Sequence, residues 1–281
     1  MKILLLGQSG MLGSCFFKCL AGQKDAEMYS LKKDGLDITD KETLEKVFER
    51  ISPHFVINCA AYTAVDSCES DKDAAFKVNG EAPGEIARLC AGKNATLLHF
   101  STDYVFDGKN DRGYKETDSP SPINIYGESK LEGEKRISEN MNDYYIVRTS
   151  WLFGENGKNF VDTMIRLARK KYEPNVVGDQ TGCPTYTKDL CEACVKYFLS
   201  KKLPFGIYHL TNSGQTSWYD FAVKIFKIME SDVKINKISS DAFPQKAKRP
   251  KCSILLNTKI TEPLRSWEEA LEAYLRLNFL V

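Results

Sequence analysis

The chain is expected to fold as an α/β protein, a doubly wound parallel sheet followed by a smaller C-terminal lobe. Three observations predict this. Short apolar runs alternate with helix-like segments through residues 1–150, the spacing of βαβ units in a parallel sheet. A glycine-rich turn, Gly7-Gln8-Ser9-Gly10-Met11-Leu12-Gly13, joins the first run to the first helix. Beyond Trp151 the alternation gives way to loops rich in Gly, Pro, Asn and Thr, at 154–159, 178–184 and 211–216.

Each element has its own reason. Residues 2–6, Lys-Ile-Leu-Leu-Leu, form a continuous apolar run ended by Gly7, the pattern of a strand buried on both faces. Residues 11–20 have helical character. Residues 26–31 read as the second strand and 40–50 as a helix with Asp40 at its N-cap. Strand 54–58, helix 73–90, strand 95–100, helix 124–139 and strand 144–148 follow. Right-handed crossovers turn that order into a doubly wound sheet. In the C-terminal part, helices near 160–170, 187–200, 217–229 and 267–278 are separated by short strands at 175–177 and 206–210. The expected division is 1–150 and 151–281, with 185–200 as a segment that returns to the larger domain.

Bulk properties exclude several classes. Of 281 residues, 42% are hydrophobic and 27% charged, ordinary for a globular chain. The net charge of +1 gives no field pointing to nucleic acid or to a membrane surface. The apolar start stops at Gly7, too short for a signal peptide, and no run approaches the ~20 apolar residues of a membrane span; a cytoplasmic protein is expected. Nine cysteines lie mostly inside apolar stretches, as reduced thiols do. Cys191-Glu-Ala-Cys194 has no second ligand pair at zinc spacing, so no metal site is expected.

Gly7, Gly10 and Gly13 stand between a strand and a helix, the context a Rossmann dinucleotide site requires. The first glycine permits the turn, the second lets backbone amides approach a pyrophosphate, and the third lets helix pack on strand. The anion then meets free N–H groups and the helix dipole. No acid closes the second strand, where a carboxylate would favour NAD; Lys32 and Lys33 stand there instead, and cations favour the 2′-phosphate of NADP. The expected coenzyme is therefore NADPH, with NADH as the alternative and Lys32 as a contact. Asp37 and Ile38 offer adenine an acceptor and an apolar wall, and the small residues after Asn58 suit a loop against the cofactor.

Tyr126 and Lys130 are spaced i, i+4, so on a helix they share a face. A free phenol holds its proton tightly, with a pKa near ~10; a nearby ammonium favours the phenolate and makes the phenol a better acid. The same ammonium can donate to ribose hydroxyls. Ser101-Thr102-Asp103 follows the fourth strand, and ligands of doubly wound sheets sit at the carboxyl ends of strands. A hydroxyl there can stabilise the oxygen charge that develops as hydride reaches a carbonyl. These features together point to a nicotinamide-dependent carbonyl reductase with Tyr126, Lys130 and Thr102 as catalytic residues. His54, His99 and His209 lie in strand-like segments and are expected to be structural.

The motifs Gly7–Gly13, Asn58-Cys-Ala-Ala-Tyr-Thr-Ala-Val-Asp66, Ser101-Thr-Asp-Tyr-Val-Phe106, Tyr126-Gly-Glu-Ser-Lys130, Arg148-Thr-Ser-Trp-Leu-Phe-Gly154, Asp179-Gln-Thr-Gly-Cys-Pro-Thr185 and Arg249-Pro-Lys-Cys-Ser253 run almost end to end. On these the chain resembles the dTDP-4-dehydrorhamnose reductase family of extended short-chain dehydrogenase/reductases. The resemblance implies that Tyr126 donates the proton, Lys130 holds the cofactor and Thr102, with Asp103, binds the sugar. It implies that Gly10, Met11, Leu12, Asp37, Ile38, Ala60, Ala61, Tyr62, Thr63 and Ser101 line the cofactor, that Trp151 lies over the substrate, and that Arg249 meets the nucleotide diphosphate. The partner is then a nucleotide-sugar, and homodimer formation stays open. Two alternatives stay open as well: a reductase of another nucleotide-linked 4-keto-6-deoxy sugar, and a non-catalytic NADP-binding regulatory subunit of the methionine adenosyltransferase type, which keeps the Tyr-Lys pair. Related dehydratases follow Thr-Asp with Glu, where this chain has Tyr104, and C4 epimerases are longer.

Overall fold

A computed structural model describes residues 1–22, 26–31 and 36–280. β1 (Lys2–Leu6) is fully buried from Ile3 to Leu6. α1 (Met11–Leu20) returns the chain to β2 (Glu27–Leu31), and α2 (Lys41–Ile51) leads to β3 (Phe55–Asn58). Asp40 caps α2 as expected, its carboxylate accepting from Thr43 N–H at 3.2 Å. A short α3 (Val65–Cys68), which the sequence reading missed, follows β3. The helix expected over 73–90 is α4 (Lys72–Phe76), a π-helical turn at Lys77–Glu81, and α5 (Ala82–Gly92). Pro83 has no N–H for the residue-79 carbonyl, so the helix widens there. β4 (Thr96–Thr102), α6 (Ile125–Asn140) and β5 (Tyr144–Thr149) complete this half.

The second half runs through β6 (Leu152–Phe153), α7 (Phe160–Arg169), β7 (Asn175–Val177), β8 (Thr181–Gly182), β9 (Thr185–Tyr186) and α8 (Thr187–Cys194), which continues as a π turn to Ser200. β10 (Gly206–His209), β11 (Thr216–Ser217), α9 (Trp218–Ile228), β12 (Asn236–Ile238) and α10 (Trp267–Asn278) follow. β10, expected among short strands of the C-terminal lobe, pairs with β5 and closes the large sheet instead. Its Tyr208 and His209 are buried, and a strand flanked by a buried neighbour on one side gains ladder and core together.

The sheet order is β2-β1-β3-β4-β5-β10, all parallel. One face packs on α1, α8 and the turn after it through Phe16, Leu190, Cys194 and Phe198. The other packs on α2, α5 and α6 through Leu44, Phe48, Ile86 and Ile137. A separate core joins α7, α9 and α10 around Phe153, Phe221 and Tyr274. The strand order reverses between β1 and β3, and open α/β sheets bind ligands in the crevice at such a switch point.

Candidate active site

The switch point holds a cleft of about 510 Å³. Gly7, Ser9, Gly10, Asp37, Ile38, Ala60, Ala61 and Tyr62 line it; all but Ser9 were expected at a cofactor. Gly7 has φ +80°, and a Cβ on it would lie 2.6 Å from Ala60 N; only glycine permits this turn against the β3 loop. A Cβ on Gly13 would run into the Gly7 carbonyl, so the third glycine sets how closely α1 lies on the turn. α2, α6, α7, α9 and α10 begin with a capping Asp, Asn or Ser side chain, whereas α1 begins at Gly10 with none. That terminus is suited to a phosphate. Three expectations differ. Leu12 is buried in the core rather than at the cleft wall, because its side chain takes the sheet-facing side of α1. Met11 packs against the Gly157 backbone and Thr63 is exposed beyond the cleft rim. Lys32, on which the NADPH expectation rests, lies outside the described residues.

α6 starts at Asn124, whose side chain accepts from Gly127 N–H at 2.8 Å. Tyr126 and Lys130 share its inner face. Gly127 and Gly133 allow the close approach expected of them: a Cβ on either would strike the carbonyl of Tyr104 or Asn79. The Thr102 hydroxyl donates to Asp103 Oδ1 at 3.0 Å and caps the next turn by accepting from Tyr104 N–H, and Thr102 opposes the rise of the Tyr126 pKa. Lys130 is 2% exposed, and its ammonium or amine donates to Phe100 O at 2.6 Å, with His99 Nε2 at 3.3 Å. The expected lowering of the Tyr126 pKa by Lys130 is not what these contacts produce. Nζ is engaged by Phe100 and His99, and burial, reinforced by Asp103, pushes the phenol up. Burial pushes Lys130 down to about 8, with Glu134 opposing. Asp103 is 3% exposed and burial raises its carboxyl to about 6, with Ser253 and Thr102 opposing.

Several residues that shape the site had no signal in the sequence reading. Asn79, in the π turn, accepts from Tyr62 N–H at 2.8 Å and donates to Tyr62 O and Ser129 Oγ; it ties the cleft loop to α6. Ser101, expected at the cofactor, instead donates to Glu134 at 2.5 Å. Glu134 takes a bidentate pair from Arg148, at 2.9 and 2.6 Å, with both residues buried. Arg148 Nη1 stands 3.4 Å from His209 Nε2, and Arg148 also lies over Phe106. His209 is structural in this network, as expected.

A second cavity, of about 970 Å³, opens on the C-terminal side. Lys109, Lys248, Arg249 and Lys251 line it together with Asp107, Asp111 and Asp241, so cations outnumber anions by one, and Gln180, Gln215 and the half-exposed Phe243 complete the wall. Arg249 is held by Asp66 at 3.1 Å and covers Tyr104, whose ring meets Tyr126 edge-on at 5.7 Å. Tyr126 and Tyr62 of the cleft both pack against the small core of Cys68, Ala75 and Ile125. Of the residues expected at the substrate, Arg249 lines this cavity; Thr102 and Asp103 are buried at the end of β4. Trp151, at φ +48°, stacks on Trp218 at 3.5 Å and covers Gly182. Among the described residues no cluster of His, Cys, Asp and Glu is arranged to hold a metal ion, and no helix is long and apolar enough to cross a membrane.

Residues 1–278 match the family of the RmlD substrate binding domain. The chain is 41% identical to the spore coat polysaccharide biosynthesis protein SpsK of Bacillus subtilis, over 98% of this chain and 97% of that one. It is similar to the crystal structure of a dTDP-4-dehydrorhamnose reductase from Clostridium acetobutylicum, with 43% identity, a TM-score of 0.95 and 99% of each chain covered. A dTDP-4-dehydrorhamnose reductase from Bacillus anthracis, solved in complex with NADP, has 39% identity and a TM-score of 0.94, again over 99% of each chain.

Proposed function

The chain belongs to the family of the RmlD substrate binding domain, and from that premise we propose that it reduces the 4-keto group of dTDP-4-dehydro-L-rhamnose to dTDP-L-rhamnose with NADPH. The observation that carries this reading is Tyr126, which shares a small apolar cluster with Tyr62 of the switch-point cleft and meets edge-on the ring of Tyr104, over which lies Arg249 of the C-terminal cavity. The complex of the Bacillus anthracis relative with NADP supports the coenzyme.

The cleft fits a dinucleotide. Its glycine turn leaves no room for a Cβ at Gly7, and the uncapped start of α1 suits a pyrophosphate. Asp37 and Ile38 would meet the adenine, Ala60, Ala61 and Tyr62 the middle of the molecule, and Lys130 a ribose hydroxyl. When bound, the reduced nicotinamide supplies hydride to the carbonyl carbon. Tyr126 then gives its phenolic proton to the carbonyl oxygen. The Thr102 hydroxyl, at the end of β4, stabilises the oxygen as charge grows. The high pKa that burial gives Tyr126 keeps the proton on it until that charge appears. Lys248 and Arg249 pair with the diphosphate of the substrate, Asp103 binds a sugar hydroxyl, and residues 151–281 supply most of the substrate lobe. A cytoplasmic setting is supported by nine free thiols, six of them buried.

The test is direct. Incubation with dTDP-4-keto-L-rhamnose and NADPH should oxidise the nicotinamide, followed by its absorbance, in proportion to the sugar consumed. NADPH binding without oxidation would favour the regulatory-subunit reading or another sugar.

A further inference from the structure

The hydrogen bonds around Lys130 define its charge as well as its position, through a histidine expected to be structural. Asn58 ends β3, and the backbone sets its amide: Ala60 N–H donates to Oδ1 at 3.1 Å. An amide oxygen accepts and an amide nitrogen donates, so Nδ2 directs its N–H at His99 Nδ1, 3.1 Å away. Nδ1 is then the acceptor, and the proton of the neutral ring sits on Nε2. Nε2 faces Lys130 Nζ at 3.3 Å. An N–H aimed at an ammonium sets donor against donor, whereas an amine accepts it. The other partner, Phe100 O, takes a hydrogen from either form.

We infer that Asn58 and His99 are positioning residues that hold Lys130 as the neutral amine in the free protein, so that capture of the nicotinamide cofactor takes up a proton. The inference rests on the contact between Lys130 and a cofactor ribose proposed above, because hydroxyl oxygens accepting from Nζ favour the ammonium. Three groups besides Tyr126 of its own helix face Nζ. His99, from β4, is held neutral by burial and by Lys130 itself. Cys59, after β3, keeps its proton because burial raises it well above the ordinary thiol range. Glu134, on α6, favours the ammonium, but its oxygens are engaged by Arg148 and Ser101. Accommodating an ammonium means moving the His99 proton to Nδ1 and turning the Asn58 amide over. Oδ1 then leaves Ala60 N–H, and Ala60 lines the cofactor cleft. The charge on Lys130 and the shape of that wall are therefore linked.

Two measurements test this. Nitrogen-15 NMR of the histidine-labelled protein, with His99 identified from a His99→Leu variant, should show its ring protonated on Nε2 below and above neutral pH. A proton on Nδ1 overturns the inference whether or not NADPH binds. The NADPH Kd should already rise about tenfold per pH unit through neutral pH, and flatten only below it where the free amine is protonated, as uptake of one proton requires. In His99→Leu the turning point should move up by at least about one pH unit. If that variant does not fold, Asn58→Asp serves: its carboxylate accepts from both Ala60 N–H and His99 Nδ1–H, freeing Nε2 to accept from the ammonium, and the same upward move is expected. A purely structural His99 would weaken NADPH equally at every pH and leave the turning point in place, which overturns the inference while the cofactor reading stands. Absence of NADPH binding overturns both.

Discussion

The two cavities are built from different material. The switch-point cleft is a backbone site: Gly7, Gly10, Ala60 and Ala61 give it shape by what their side chains lack, and they come from the ends of two adjacent strands. The C-terminal cavity is a side-chain site, whose Lys, Arg, Gln and Phe residues are drawn from 107–123, 180–181, 215 and 240–254. This backbone site tolerates no side chain at Gly7 or Gly13, where a Cβ would strike main chain, whereas Gly10 has room for one. A side-chain site spreads recognition over several flexible cations, each contributing modestly. The cleft should therefore fail abruptly on mutation and the cavity by degrees.

The largest effect belongs to Tyr126. Tyr126→Phe keeps the ring contact with Tyr104 and removes only the hydroxyl and its proton. Turnover should fall by a factor on the order of 10²–10⁴, as loss of a general acid does, while NADPH titration gives a nearly unchanged Kd. Turnover within a few-fold of the wild type would remove Tyr126 as the acid. Next comes the backbone site itself. Gly13→Ala drives a methyl into the Gly7 carbonyl, so it should destabilise the fold by about 3 kcal/mol and cost NADPH affinity as well. An unaltered melting temperature and Kd would show that the turn can yield.

This contrast also decides what the sequence made legible. Parallel strands leave continuous apolar runs, and the glycine turn must be local because a βα turn is local; both were visible in residues 2–13. The Tyr126–Lys130 face followed from helical spacing alone. Asn79, His99 and the Glu134–Arg148 pair were not visible, because each acts through a partner between 14 and 50 residues away that only the packed sheet supplies. β10 was misplaced for the same reason: strand character in Ile207-Tyr208-His209 is local, but its partner β5 lies across the whole intervening segment. The Ser101 hydroxyl was assigned outward, to cofactor, since nothing in Ser-Thr-Asp announces a buried Glu134 behind it.

Asp103, at the end of β4, sharpens the comparison. Its carboxyl is raised from the ordinary 3.8 to about 6 by burial. The folded state therefore binds that proton more tightly than the unfolded one. The group's contribution to stability is intact below pH 3.8 and is lost as pH rises through 6, a penalty of about 3 kcal/mol for a shift of roughly two units. Asp103→Asn keeps the acceptor for Thr102 and carries no charge. It should raise the melting temperature above pH 6, and the two proteins should converge near pH 4, while activity falls with the lost sugar contact. Equal melting temperatures at both pH values would mean that Ser253 and Thr102 already compensate the buried charge.

The smallest effect is expected where recognition is shared. Arg249 has Asp66 on one side and the Tyr104 ring on the other, and Lys109, Lys248 and Lys251 stand on the same cavity wall. Arg249→Ala removes one of four cations, so KM for the nucleotide-sugar should rise about tenfold, ~1.4 kcal/mol, within the range of one charged hydrogen bond. Because the diphosphate is bound alike in ground and transition states, kcat should hardly move. Two outcomes would give Arg249 another role. A fall in kcat as large as that of Tyr126→Phe would mean that Arg249 acts through Tyr104 on the phenol, making it part of the chemistry. A KM change confined to high pH would mean that its bond to Asp66, not the diphosphate, sets the cavity wall.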